Sequence, residues 1–136
     1  MVGLNEFEQA VLQKILAGNH PMLATLREQC GHARLAKREN TGVGFFCEFE
    51  VEADAPMVPG NFQVGDVHAE LEALKYGVGL VLFIREGRLH MLEGYTYDEP
   101  WPEQVRGFSL RYTDPERANE LAKLTNIGAS PVQQAR

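Results

Sequence analysis

Val43-Gly44-Phe45-Phe46-Cys47-Glu48-Phe49-Glu50-Val51-Glu52 is the stretch whose reading decides the fold. Its odd positions (Val43, Phe45, Cys47, Phe49 and Val51) are apolar, and its even positions end in Glu48, Glu50 and Glu52. A period of two marks a strand with one buried face and one face in water. The pattern recurs in Asp66–Leu74, where Val67, Ala69, Leu71 and Ala73 alternate with Asp66, His68, Glu70 and Glu72. That segment also fits a helical stripe through Val67, Leu71 and Leu74, and Ala, Leu and Glu favour helix. Strand is the reading adopted, because its neighbours are strands and the alternation is cleaner.

Outward from these two segments the same period continues. Ala33–Asn40 reads as a strand carrying Arg34, Lys37 and Arg38, joined to Val43–Glu52 through the glycines at 42 and 44. Val78–Arg85 is β-branched and aromatic; Glu86-Gly87 makes a tight hairpin turn, and Arg88–Tyr97 pairs back with Leu89, Met91, Tyr95 and Tyr97 on one side. Phe108–Tyr112 is a last short strand. Pro56, Pro59 and Gly60 make 53–61 a loop, as Pro100 and Pro102 do for 98–103.

The ends are helical. Asn5 with Glu8 three residues on has capping-box spacing, and Leu4, Phe7, Val11 and Ile15 recur at steps of three or four before Gly18. Pro21 suits a first helical turn, with Met22, Leu26 and Cys30 following at steps of four. Asp114-Pro115 predicts a C-terminal helix with Leu121 and Leu124 facing the core. The expected fold is α+β: an N-terminal helical hairpin on a curved, mainly antiparallel sheet of five or six strands, plus a C-terminal helix. A cone-like sheet with a pocket is the architectural alternative. One domain over 1–126 and a flexible tail over 127–136 are expected.

Thirteen basic residues stand against nineteen acidic ones, a formal net charge of −6. That balance argues against binding to a phosphate backbone, which requires clustered lysine and arginine, and favours steering of a basic protein. No apolar run approaches the ~18 residues of a membrane span, and no basic-then-apolar leader precedes the first helix. A soluble, cytoplasmic chain without a membrane partner is expected; its oligomeric state is not legible. Cys30 and Cys47 read as two small buried hydrophobes.

The chemistry-bearing residues fall into few groups. Glu48, Glu50, Asp66, Glu70 and Glu72 form an expected acidic face: either a solvated surface tied up by Arg34, Lys37 and Arg38, or a binding surface. Tyr95-Thr96-Tyr97-Asp98-Glu99-Pro100-Trp101-Pro102-Glu103 interleaves aromatics and acids on a proline-stiffened loop. Tyr97, Asp98, Glu99 and Trp101 would serve an interface, since aromatic rings give rigid contact area at low entropy cost. The bland alternative has Trp101 plugging one end of the sheet and Tyr95 packed in the core. The four histidines share no metal-ligand spacing, so neither metal nor cofactor is expected. Cys47 lies among apolar neighbours, and no phosphate loop or nucleophile elbow occurs.

At Gly65-Asp66-Val67-His68-Ala69-Glu70-Leu71-Glu72 and at Met91-Leu92-Glu93-Gly94-Tyr95-Thr96-Tyr97-Asp98-Glu99-Pro100-Trp101-Pro102 the chain resembles uncharacterised small bacterial proteins. In size, acidity and architecture it is also similar to the acidic immunity proteins that neutralise toxins delivered between bacteria. That resemblance implies a toxin as partner but transfers no residue, because such proteins share no motif. The leading expectation is a non-enzymatic module binding a basic protein. The alternative is a small-molecule binding or catalytic domain whose pocket, between helices and sheet, is lined by His90, Glu93 and Tyr95.

Overall fold

The Asn5 side chain accepts a hydrogen bond from the Glu8 N–H at 2.8 Å, and the Glu8 carboxylate accepts one from the Asn5 N–H at 3.0 Å. This reciprocal cap starts α1 (Glu6–Ile15), whose buried side carries Phe7, Val11, Leu12 and Ile15. His20 caps α2 (Pro21–Gln29) by accepting from the Met22 N–H at 3.1 Å, and a short 3-10 turn over Cys30–His32 leads into the sheet. The structure, a computed structural model, describes residues 1–129. Its strands are β1 (Ala33–Asn40), β2 (Gly44–Val51), β3 (Phe62–Leu71), β4 (Val78–Arg85), β5 (Arg88–Tyr95) and β6 (Phe108–Tyr112), followed by α3 (Ala118–Ala129).

The six strands form one antiparallel sheet in the order β1-β2-β5-β4-β3-β6, not closed on itself. The fold is therefore α+β. Helices α1 and α2 pack on one face, α1 over β3, β4 and β6 and α2 over β5. Between the layers lie Leu23 and Leu26 from the helices and Phe45, Cys47, Val67, Leu80, Leu82 and Leu92 from the sheet. A one-residue slip of β2 would drive Glu48 and Glu50 into this layer, so the alternation itself holds the register. No described helix is long and apolar enough to cross a membrane.

Three details depart from the sequence expectations. First, β3 begins at Phe62, and its pairing with β4 shifts between Val64 and Val67. At this bulge Asp66 joins Val67 on the helical side of the sheet, and Asp66 is only 5% exposed. Second, the β4–β5 pairing shifts beside Phe83, so His90 is an extra residue. Leu89 and Leu92 therefore face the core, while Met91 and Tyr95 face away, unlike the expected shared side of Leu89 and Met91. Third, α3 starts at Ala118 rather than at Pro115. Arg117 sits at φ 56°, and the Asp114 carboxylate accepts from the N–H groups of Glu116 and Ala118, so 114–117 is a turn. The helix then continues to Ala129, into the stretch expected as a tail; the rest of that stretch, 130–136, lies outside the described residues.

Candidate functional site

Among the described residues, the helices cover one face of the sheet and leave the other open. On the open face, Phe46, Glu48 and Glu50 of β2 stand beside Met91, Glu93 and Tyr95 of β5, then Gly79, Val81 and Phe83 of β4, then His68 and Glu70 of β3. One transverse row runs Gly44, Tyr95, Gly79, His68, Arg111, each paired with the next across the strands. The middle of the face is apolar and half-buried: Phe46, Val81, Phe83 and Met91. Glu48 and Glu93 are also half-buried there, and among the described residues neither has a cation within ion-pair distance.

At one end of the face the rings gather. The His68 ring stacks near Tyr97 with centroids 6.3 Å apart, and its Nε2 lies 3.0 Å from a Glu70 carboxylate oxygen. Tyr95 and Tyr97 meet edge-on at 5.7 Å with their planes at 73°. Glycine makes this possible. A Cβ on Gly79 would overlap the Tyr95 ring, and one on Gly77 would overlap the His68 ring. Between the two tyrosines, the Thr96 hydroxyl is tied to the carbonyls of Val43 and Glu99. The Glu99 carboxylate accepts from the N–H groups of Lys75 and Tyr76 at 2.8 and 3.0 Å, fastening the loop to the β3–β4 turn. The Tyr95 phenol is pushed up by partial burial first, then by its neighbour Tyr97 and the Glu93 charge.

The expected acidic face is only partly assembled. Glu48, Glu50 and Glu70 share the open face, but Glu50 is ion-paired with Arg34 and Glu70 is engaged by His68. Asp66 is absent from that face. Its carboxylate accepts from Arg117 at 2.6 and 2.8 Å beneath the helices, because the bulge re-aims it. Glu72 lies past the end of β3, packed beside Gly107. Ala73, expected to be buried, and Val43, 57% exposed, both lie outside the strands.

Within the aromatic loop, Tyr97 is 44% exposed and Asp98 is exposed at φ 63°. Trp101 turns inward, half-buried with its ring against Phe45 at 4.8 Å and Phe7 at 6.2 Å, and its backbone N–H donates to the Gly42 carbonyl. It plugs the end of the sheet, whereas Tyr95, 41% exposed, does not pack in the core. The residues expected to line an internal pocket do not gather. Glu93 and Tyr95 stand on the open face, and His90 borders a shallow depression with Phe83 and Arg85. Among the described residues no three His, Cys, Asp or Glu side chains cluster closely enough to hold a metal ion.

A second concave region lies beside Trp101. Phe7, Phe45, Arg38 and Arg106 help to line a cleft of about 490 Å³. At its base the Glu8 carboxylate takes Arg38 in a two-point pair at 2.5 and 2.8 Å, and the Cys47 thiol at 3.2 Å. Burial pushes the Glu8 carboxyl up, but the hydrogen bonds from Arg38, Asn5 and Cys47 outweigh it and leave the group below its ordinary value. Burial and the adjacent Glu8 charge push the Cys47 thiol up to about 12. The arrangement fastens α1 to β1 and β2 and leaves Cys47 a poor nucleophile.

Compared with protein-family models, with curated proteins and with solved structures, the chain finds no match in any of the three.

Sequence reading missed Phe46, Val81, Phe83 and Met91 as surface residues. Phe46 is the one apolar residue at an even position of its segment, and that break in the pattern was the available signal.

Proposed function

We propose that this protein is a non-enzymatic interaction module that binds a basic protein through the open face of its sheet. The observation that carries this reading is the half-buried strip of Phe46, Val81, Phe83 and Met91, inside which Glu48 and Glu93 have no ion-pair partner among the described residues. An apolar centre supplies most of an interface's energy, while carboxylates without internal partners select cations. The net charge of −6 adds long-range attraction for such a partner. An immunity-type inhibitor covering a basic toxin surface is the particular form proposed, and the cytoplasm is its expected location. Against a small-molecule reading, the layer between helices and sheet is filled by the core. The cleft beside Trp101 is the feature that favours that second reading, since its volume suits a ligand.

The test is surface plasmon resonance against purified basic proteins, nucleases among them, at low and high salt. The reading requires at least one partner whose binding weakens as salt rises and is lost in the Glu48→Lys/Glu93→Lys double variant. If no partner is retained at low salt, or the double variant binds as well as the parent, the proposal fails.

A further inference from the structure

The two exposed tyrosines are the part of this face with the most specific geometry. Chemistry on a rigid scaffold is most selective where rings are fixed before the partner arrives. Here Thr96 anchors the backbone between Tyr95 and Tyr97, Glu99 staples the loop to the β3–β4 turn, and Gly79 leaves room for the Tyr95 ring to lie across β4. The rings stand at 73° to each other and both residues are partly exposed; with His68 stacked near one face of Tyr97, its other face and the Tyr95 ring make the corner.

The chain's own cations mark the rings that remain available. Lys14 and Arg117 lie over the Tyr112 ring, each 4.3 Å from its centroid, and Lys75 lies 5.3 Å from that of Tyr76. Tyr95 and Tyr97 carry no such cation among the described residues. Glu93, two residues from Tyr95 on the same strand face, supplies a carboxylate with no cation within ion-pair distance among the described residues. Arg111 stands on the far side of His68, one strand further from this carboxylate than His68 itself. The electron-rich faces of phenol rings attract cations, and a planar guanidinium can stack on a ring while forking to a carboxylate.

We propose that the Tyr95–Tyr97 corner, with Glu93 as counter-charge, seats an arginine side chain of the protein partner. This rests on the interaction reading above and names the residue type recognised at one end of the face.

The test uses the full chain with ¹³C-labelled tyrosine rings, titrated with N-acetyl-arginine amide and, as its neutral isostere, N-acetyl-citrulline amide. Four tyrosines are present, so Tyr76 and Tyr112 serve as internal controls. The expected result is a saturable shift of the Tyr95 and Tyr97 ring signals with the arginine probe and none with citrulline. Glu93→Gln and Tyr97→Ala should each weaken that apparent affinity by about three- to thirty-fold. Glu93→Gln preserves side-chain size, so its effect does not depend on Tyr97→Ala folding normally. Equal shifts with both probes, no saturation, or shifts unchanged in Glu93→Gln overturn the assignment. Its failure is separable from that of the interaction reading. Salt-sensitive capture of a basic protein without any arginine response removes only the corner. An arginine response without capture removes the interaction module, and with it the protein partner as the source of the arginine, and leaves the corner as an arginine site.

Discussion

Arg117 gives the sharpest test of how this fold is fastened. Its guanidinium donates to both Asp66 carboxylate oxygens, at 2.6 and 2.8 Å, and to the carbonyls of Ile15 and Ala17 at 3.0 Å each. It also lies over the Tyr112 ring. Both members of the pair are almost wholly buried, at 7% and 6% side-chain exposure. One side chain thus neutralises a buried carboxylate and satisfies carbonyls at the end of α1, where no further helical N–H is available. Replacing Arg117 with Met retains apolar bulk and removes every donor. The remaining Asp66 charge is then buried without a counter-ion. Breaking a buried pair from one side costs about 3–5 kcal/mol. A domain of ordinary stability has about 5–15 kcal/mol in total, so the variant should fold only marginally.

The assay is urea unfolding followed by the emission of Trp101, the single tryptophan. With a urea dependence of about 1–3 kcal/mol per molar, the Arg117→Met midpoint should fall by more than about 1 M. The double variant Asp66→Asn/Arg117→Met removes the stranded charge and should recover at least about 1 kcal/mol of that loss. A single variant within about 0.5 kcal/mol of the parent would behave like an ordinary surface substitution and refute the reasoning. So would a double variant no more stable than Arg117→Met alone.

Two further expectations concern the Glu8 network. The folded-state Glu8 carboxyl titrates below the ordinary glutamate value of about 4.3, so its contribution is fully present above that pH and is lost as pH falls through the lower, folded value. Acid titration of urea stability should therefore show a steeper decline for the parent than for Glu8→Gln over that window; parallel curves would show that the carboxylate is not held as described. Thiol accessibility provides the other measurement. At pH 8 Ellman's reagent should leave Cys47 unmodified in the native protein, because it is buried with its thiol pushed up to about 12. In denaturant it should react with both cysteines, releasing one thionitrobenzoate for each, whereas prompt native modification of Cys47 would contradict the buried Glu8–Cys47 contact.

Much of the fold was legible because it rests on local rules. The limits of β1, β4 and β6, the Glu86-Gly87 turn and the Asn5–Glu8 cap follow from alternation, turn chemistry and capping spacing. Asp66 was not legible. Strict alternation from Val67 puts Asp66 in water, and only the pairing of Val64 with Leu82 and of Val67 with Leu80 shows that two residues, Gly65 and Asp66, oppose one. A bulge is a property of two strands together, so neither sequence segment contains it alone. Arg117 was invisible for the same reason: its partners Asp66, Ile15 and Ala17 lie far away along the chain. Tyr95 and Tyr97 were singled out by residue type, but the Gly79 beneath Tyr95 belongs to the neighbouring strand.

The same bulge also shapes the candidate site. Had β3 kept strict alternation through Asp66, the Asp66 carboxylate would stand on the open face and Arg117 would lose its counter-ion at the end of α1. Turning Asp66 inward assigns that charge to stability and leaves the open face with fewer, more separated acids. Of those, Glu50 and Glu70 are already engaged by Arg34 and His68. The electrostatic attraction of the surface is thereby narrowed from a diffuse acidic sheet to Glu48 and Glu93, set among apolar side chains and beside two fixed tyrosine rings. A diffuse field speeds encounter but discriminates little, whereas a carboxylate beside a rigid ring selects one kind of side chain in one orientation. If the open face binds, its specificity should therefore sit at Glu93 with Tyr95 and Tyr97, and its rate of association should follow the charge of the whole chain.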